Sequence, residues 1–247
     1  MIPWFDASHI AIAGQMIPTQ GPLAIAGIAV GHLTFGRWLQ RHQGMTALRA
    51  DQMGFAIIAA AVLVGHLTAT YFTAPDAPFL QLYAPQSSLG ALLGGGAMGL
   101  LLTGLWQLEP LVVIDGAAWA FMHGWPLVRL GCVLVHDHPG RRSILPIAVA
   151  FPEGPRLDIG LLEWLFCLLL LGFGRLLMRG AVAPGRLAAW ATLLFSAARL
   201  VLEWLRVDSL DDLRQPTNFA AISVCGTGLL ISALLWWLSR PLAADRV

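Results

Sequence analysis

The chain has 247 residues, of which 57% are hydrophobic and only 12% charged, and its mean hydropathy is +0.70. Fifteen arginines, with no lysine, against fourteen acidic residues give a net charge of +1, which excludes a nucleic-acid binder working through a basic field. The three cysteines (Cys132, Cys167, Cys225) lie in or beside apolar segments without CxxC spacing, which argues against a disulfide framework and a zinc-thiolate site. What remains is an all-α polytopic membrane protein.

A spanning helix needs about 20 mostly apolar residues, and seven segments qualify. Gly21–Leu39 comes first. The residues before it lack a basic n-region, so this helix is expected to serve as the insertion signal. Asp51–Phe72 follows, then a turn-rich stretch, Thr73-Ala-Pro-Asp-Ala-Pro78. Leu89–Leu105 is short and glycine-rich; its pairs Gly90/Gly94 and Gly95/Gly99 are small-xxx-small spacings that let helices approach backbone to backbone. Leu111–Leu130 carries Asp115 and leads into a polar run. Phe151-Pro-Glu-Gly-Pro155 reads as a tight turn before Ile159–Met178, and Leu187–Leu205 and Phe219–Leu238 complete the set. No internal repeat interrupts residues 1–247, so a single membrane-embedded domain is expected.

Arginine placement orients the spans. Arg37, Arg41 and Arg49, then Arg175, Arg179 and Arg186, and finally Arg240 and Arg246 fall on one side, whereas the segment before Gly21 has none. The N-terminus is therefore expected outside and the C-terminus inside. Arg129, Arg141, Arg142, Arg156, Arg206 and Arg214 fall on the outer side, against this bias. An anionic ligand is one reason for positive charge there.

Two clusters of ionisable residues need explaining, because such groups are expensive in lipid unless paired, hydrated or used. Glu203 and Arg206 lie about 40° and 20° from Arg199 around their helix, so the three share a face. An internal salt-bridge ladder is the plain reading, yet two arginines to one glutamate leave positive charge over. The second cluster is the run Arg129-Leu-Gly-Cys-Val-Leu-Val-His136-Asp137-His138-Pro-Gly-Arg141-Arg142 at a helix end. His136, Asp137 and His138 invite a metal reading, but no helical ligand pair accompanies them and no metal is assigned. Asp115 and Glu163 read as buried carboxylates paired with arginines, and Asp158 as a helix cap.

These residues resemble the prolipoprotein diacylglyceryl transferase family, seven-helix enzymes of the bacterial inner membrane. The family signature runs Gly-Arg-x-Gly-Asn-Phe-x-Asn-Gly-Glu-x-x-Gly-Arg. Laid on this chain without gaps, Arg129, Gly131, Gly140 and Arg141 match it, Asp137 takes the place of the glutamate, and Cys132 and Val135 replace the asparagines. A family aspartate lands on Asp115, the penultimate-span Arg-x-x-x-Glu on Arg199 and Glu203, and the following arginine on Arg206. The segment Arg156-Leu-Asp-Ile-Gly-Leu-Leu-Glu163 echoes a further family element. Two further positions depart: the family tyrosine near the first span appears as Gln20, and Ser87-Ser88-Leu89-Gly90 has Leu89 where the family carries a histidine proposed as catalytic base.

The resemblance implies transfer of the diacylglyceryl group from phosphatidylglycerol to the lipobox cysteine thiol of a prolipoprotein, without metal or organic cofactor. Glycerol phosphate leaves and a thioether forms. Guanidinium groups bind phosphate in bidentate fashion, so Arg129 and Arg199 are expected to hold it. Gly131, Gly140, Arg141, Arg206 and Asp115 are expected to shape the lipid site, with Asp137 and Glu203 in the catalytic set. The thiol must also lose its proton. With Leu89 in place of the family histidine, the base is expected from His136 or His138, whose ordinary pKa of about 6.5 is suited to it, with Asp137 orienting one of them. Two other readings stay open: a catalytically impaired paralogue that binds anionic phospholipid or prolipoprotein, and a small transporter lined by Arg129, Arg199 and Asp115.

Overall fold

The computed structural model describes residues 1–12, 14–73, 87–206 and 216–239. Of the stretches singled out in the sequence, most of the turn-rich Thr73–Pro78 segment, Arg214, Arg240 and Arg246 lie outside them. Seven helices occur among the described residues: α1 (Gln20–Gln43), α2 (Ala47–Thr73), α3 (Ser88–Leu105), α4 (Pro110–Val135), α5 (Ile159–Leu177), α6 (Arg186–Arg206) and α7 (Pro216–Leu238). Every expected span coincides with one of them.

Five of these helices, α2 to α6, are long and apolar enough to cross a membrane. The polar end of α1, with Arg37, Gln40, Arg41, His42 and Gln43, lowers its hydropathy, and the apolar run of α7 over Ser223–Leu238 is shorter. The molecule is thus mostly helical and of multi-pass type.

Short strands accompany the helices, which the all-α reading did not include. Strands β1 (Ile2–Pro3), β4 (Pro139–Arg142), β5 (Val149–Phe151) and β6 (Gly154–Asp158) form a sheet in the order β1-β5-β6-β4. β1 runs parallel to β5 and the other pairs are antiparallel. The β5–β6 connection is the turn expected at Phe151–Pro155, and Gly154 supplies its φ of +115°. β2 (His9–Ile12) and β3 (Gln15–Pro18) make a hairpin, with Gly14 at φ +80° beside its turn.

The chain divides into two units. One comprises His32–Gly116 and the other Met1–Gly31 with Ala117–Val247, so the division falls inside α1 and α4. In the first unit α3 lies antiparallel on α2 through its glycines. A Cβ on Gly90 would fall 2.7 Å from the Val64 carbonyl oxygen, and one on Gly94 would fall 2.6 Å from Val64 Cβ. The small-xxx-small spacing is therefore a packing device. Ser87 caps α3 by accepting from the Gly90 amide at 3.2 Å. Gln43 ties the end of α1 to Glu109 by two bonds, and Trp38 donates to the Val112 carbonyl at 2.9 Å. Asp115 is buried in this unit, with its interactions made inside the protein.

In the other unit the start of α1 crosses α4 at glycine: a Cβ on Gly27 would lie 2.7 Å from the Gly124 carbonyl oxygen. α5 lies antiparallel to α4, since Gly160 faces Cys132 and Gly174 faces Met122. α6 pairs with α7 through Gly228 against Ser196 and a bond from Ser232 to the Ala189 carbonyl. This brings α4, α5 and α6 side by side and sets the sheet beyond the end of α4 and the start of α5.

Candidate functional site

The site is built around Glu163, one turn into α5 and completely buried. Its Oε1 lies 2.8 Å from Arg129 Nε on α4, an ion pair whose angle is too bent for a hydrogen bond, and its Oε2 accepts from Arg199 Nη1 on α6 at 2.6 Å. Trp125 Nε1 adds a donor at 3.4 Å. Arg199 also donates to Glu203 one turn on, and Glu203 lies 3.5 Å from Arg206. The result is an alternating chain, Arg129–Glu163–Arg199–Glu203–Arg206, in which three guanidiniums meet two carboxylates. Alternation satisfies the physics of charge in an apolar helix bundle, where an unpaired buried ion costs several kcal/mol. It also leaves one positive charge over.

Arg129 is held in place on a second side. Its guanidinium lies 4.9 Å above the Trp125 ring, a cation–π contact, and Nη1 donates to Cys132 Sγ at 3.6 Å. Gln20, at the first residue of α1, donates to the same sulfur at 3.7 Å and to Asp137 Oδ2 at 3.4 Å. A Cβ on Gly131 would meet the Gln20 side chain at 3.3 Å, so a glycine there lets α1 close on α4. Gly140, in β4, is tighter still, with the Leu205 carbonyl 2.9 Å from the position of a Cβ. Arg141 stacks 4.3 Å over the Trp204 ring. The two glycines of the signature thus serve close approach, and its arginine Arg141 pins β4 to α6.

The run after α4 divides into two pairs. His138 Nδ1 and Asp137 Oδ1 are 2.5 Å apart in a partly exposed position. Burial raises the Asp137 carboxyl, but the hydrogen bond and charge of His138, together with Arg129, outweigh it and hold the group below its ordinary value. His136 turns the other way: its Nδ1 lies 2.5 Å from Asp158 Oδ2, with both side chains buried. Asp137 therefore partners His138, and Asp158 partners His136. Asp158 is also the cap expected from the sequence, accepting from the Leu161 amide at 3.1 Å.

Donor atoms of Cys132, Asp137 and His138 all lie within 4.8 Å of one another, a set that can hold a soft divalent ion. The Arg129 guanidinium beside the sulfur opposes a dication there, so we assign no metal.

The sequence did not single out Glu163 or Asp158 as members of the functional cluster. Both read as structural carboxylates, since nothing in linear order shows that α5 passes between α4 and α6. Cys132 and Gln20, which stand at departures from the family pattern, face each other here.

Apolar helices enclosing a chain of arginines and carboxylates define a multi-pass membrane protein. The chain belongs to the prolipoprotein diacylglyceryl transferase family, whose family model matches residues 9–239. That match covers α4, α6 and the strands β4 to β6 between them. No curated protein matches the chain.

Proposed function

We propose that this protein transfers the diacylglyceryl group of phosphatidylglycerol to the lipobox cysteine of prolipoproteins, in the bacterial inner membrane, with its N-terminus outside. The observation that carries this is the chain from Arg129 to Arg206, buried except at its Arg206 end, which has more guanidinium than carboxylate. A phosphodiester entering beside Arg129 and Arg199 supplies the missing negative charge, and its leaving phosphate gains charge as the ester bond breaks. Fixed guanidiniums stabilise that charge most where water is excluded. Glu163 and Glu203 orient the two arginines, and Arg206, about half exposed, stands at the outer end of the chain. Gly131 and Gly140 permit the close packing of the lipid site, with Arg141 beside it; Asp115 has its proposed lipid-site role from the family pattern alone. No metal or organic cofactor enters this chemistry.

The test is complementation of cells depleted of their own diacylglyceryl transferase, with membrane expression confirmed. Growth and thioether-modified lipoprotein are expected; absence of both overturns the reading. The presence of Leu89 at the family histidine position favours a second reading, a paralogue that binds anionic phospholipid without transfer. Phosphatidylglycerol binding with no glycerol phosphate release would identify it.

A further inference from the structure

Transfer to a thiol needs a proton acceptor, and Leu89 cannot be one. His136 has four properties that fit the task. First, Asp158 orients it: with the carboxylate against Nδ1, a neutral ring carries its hydrogen there and presents Nε2 as the acceptor. Second, Nε2 is buried and has no hydrogen-bond partner among the described residues, which is costly for a polar atom unless it is used. Third, Phe5 and Phe151 meet the ring edge-on at 4.6 and 5.6 Å between centroids, with Trp4 at 6.5 Å, so the ring is walled by apolar surface. Fourth, the backbone of His136 has φ +52°, a conformation that costs a side-chain-bearing residue roughly 1–2 kcal/mol and that the family signature fills with glycine. A histidine kept at a glycine position, held by a buried aspartate and presenting a bare nitrogen, has a strained geometry of the kind that persists at functional sites.

We propose that His136, positioned by Asp158, is the general base for the acceptor thiol. This rests on the transferase reading above. The thiol proton passes to His136 Nε2 as the sulfur lone pair forms a bond to the terminal glyceryl carbon. The bond from that carbon to the phosphate oxygen breaks, and its electron pair leaves with glycerol phosphate; the imidazolium then returns the proton to water. His136 stands seven residues after Arg129, just past the end of α4, about two helical turns or roughly 10 Å along the helix axis. A lipid held by Arg129 and a thiol delivered at the sheet therefore meet between them. The aromatic wall suits an apolar, thiol-bearing peptide segment. His138, paired with Asp137 and partly exposed, plays no part in the proton transfer.

The experiment measures transfer from phosphatidylglycerol to a lipobox peptide by the full-length protein in vesicles. His136→Gly removes the ring while suiting the backbone angle, and it should lower kcat by roughly 10²–10⁴-fold with KM little changed. Added imidazole should restore activity in proportion to its concentration, and this rescue should be lost in the His136→Gly, Asp158→Asn double variant. His136→Asn, which tolerates positive φ and can still bond Asp158, should be equally slow without rescue and guards against misfolding of the glycine variant. If wild type transfers and both His136 variants keep its rate, or the glycine variant is folded yet slow and deaf to imidazole, the proposal fails and the transferase reading stands. A wild type that is folded but transfers nothing removes both.

Discussion

At the scale of residues, the balance of the site turns on single carboxylates. Glu163 touches two guanidiniums from two other helices, and it is more buried than either of them. Replacing it with glutamine keeps the shape but leaves Arg129 without its carboxylate partner and Arg199 with Glu203 alone. Removing one partner of a buried pair typically costs about 3–5 kcal/mol. Glu163→Gln is therefore expected to lower the thermal midpoint in detergent clearly, whereas Arg206→Ala, at the half-exposed end of the chain, should change it little. Equal midpoints for Glu163→Gln and wild type would show that the network does not carry this energy. Asp137 gives a pH-dependent counterpart. Its carboxyl titrates below the ordinary value of 3.8 in the folded protein, so its contribution to stability is complete above that pH and is lost as pH falls through the lower, folded value. Asp137→Asn should thus be less stable than wild type at neutral pH, and the two unfolding curves should converge in strong acid. A difference that persists unchanged into strong acid contradicts this.

At the scale of elements, glycines decide which helices touch. At Gly27 and Gly124 the obstacle to a side chain is backbone, which cannot step aside. Gly124→Val is expected to cost about 1–3 kcal/mol or more by overpacking, while Gly172→Ala, where a Cβ meets open space, should be neutral. Comparative unfolding of the two variants checks the contrast. The helices themselves were legible in the sequence, since seven runs near membrane length leave little choice. The sheet was not. Its strands are two to five residues long, too short for alternation to show, and they are defined by pairing partners far apart in sequence, as Ile2 with Val149. The same limit governs the site. Arg199 with Glu203 could be seen one helical turn apart, and the arginine-rich run after α4 stood out by charge. The pairing of Arg129 with Glu163, and of His136 with Asp158, spans 34 and 22 residues and follows only from the antiparallel passage of α5 along α4. The sequence assigned Asp137 to orient a histidine and did not specify which; the neighbour in space of His136 is a residue that read as a cap.

At the scale of the whole molecule, the proposed orientation rests on the arginines of the loops. Cysteines placed near Asp6 and near Asp245, in a variant without the three native cysteines, should react with a membrane-impermeant maleimide from opposite faces. Asp6 is expected to label from outside and Asp245 only once the inner face is opened. Labelling of both from one face ends this topology and the outer placement of the loop from His136 to Arg142. Cys132, Cys167 and Cys225 are buried, so the native background is low to begin with.

The sheet and the membrane helices join without slack. β6 ends at Asp158 and α5 begins at Ile159, with no residue between them to flex. Asp158 closes a strand, caps a helix and grips a histidine in one step, and Glu163 follows five residues later on the same rigid rod. A joint of this kind behaves as a stiff lever: a push on the strand edge from a docking peptide is passed along α5 as a small tilt or slide, since bending at the junction would first have to break the cap. Under the proposed transfer, peptide arrival and the grip of Arg129 and Arg199 on the lipid would then be mechanically linked. Lengthening the junction by a single inserted glycine should uncouple them, leaving lipid capture intact while the acceptor arrives out of step.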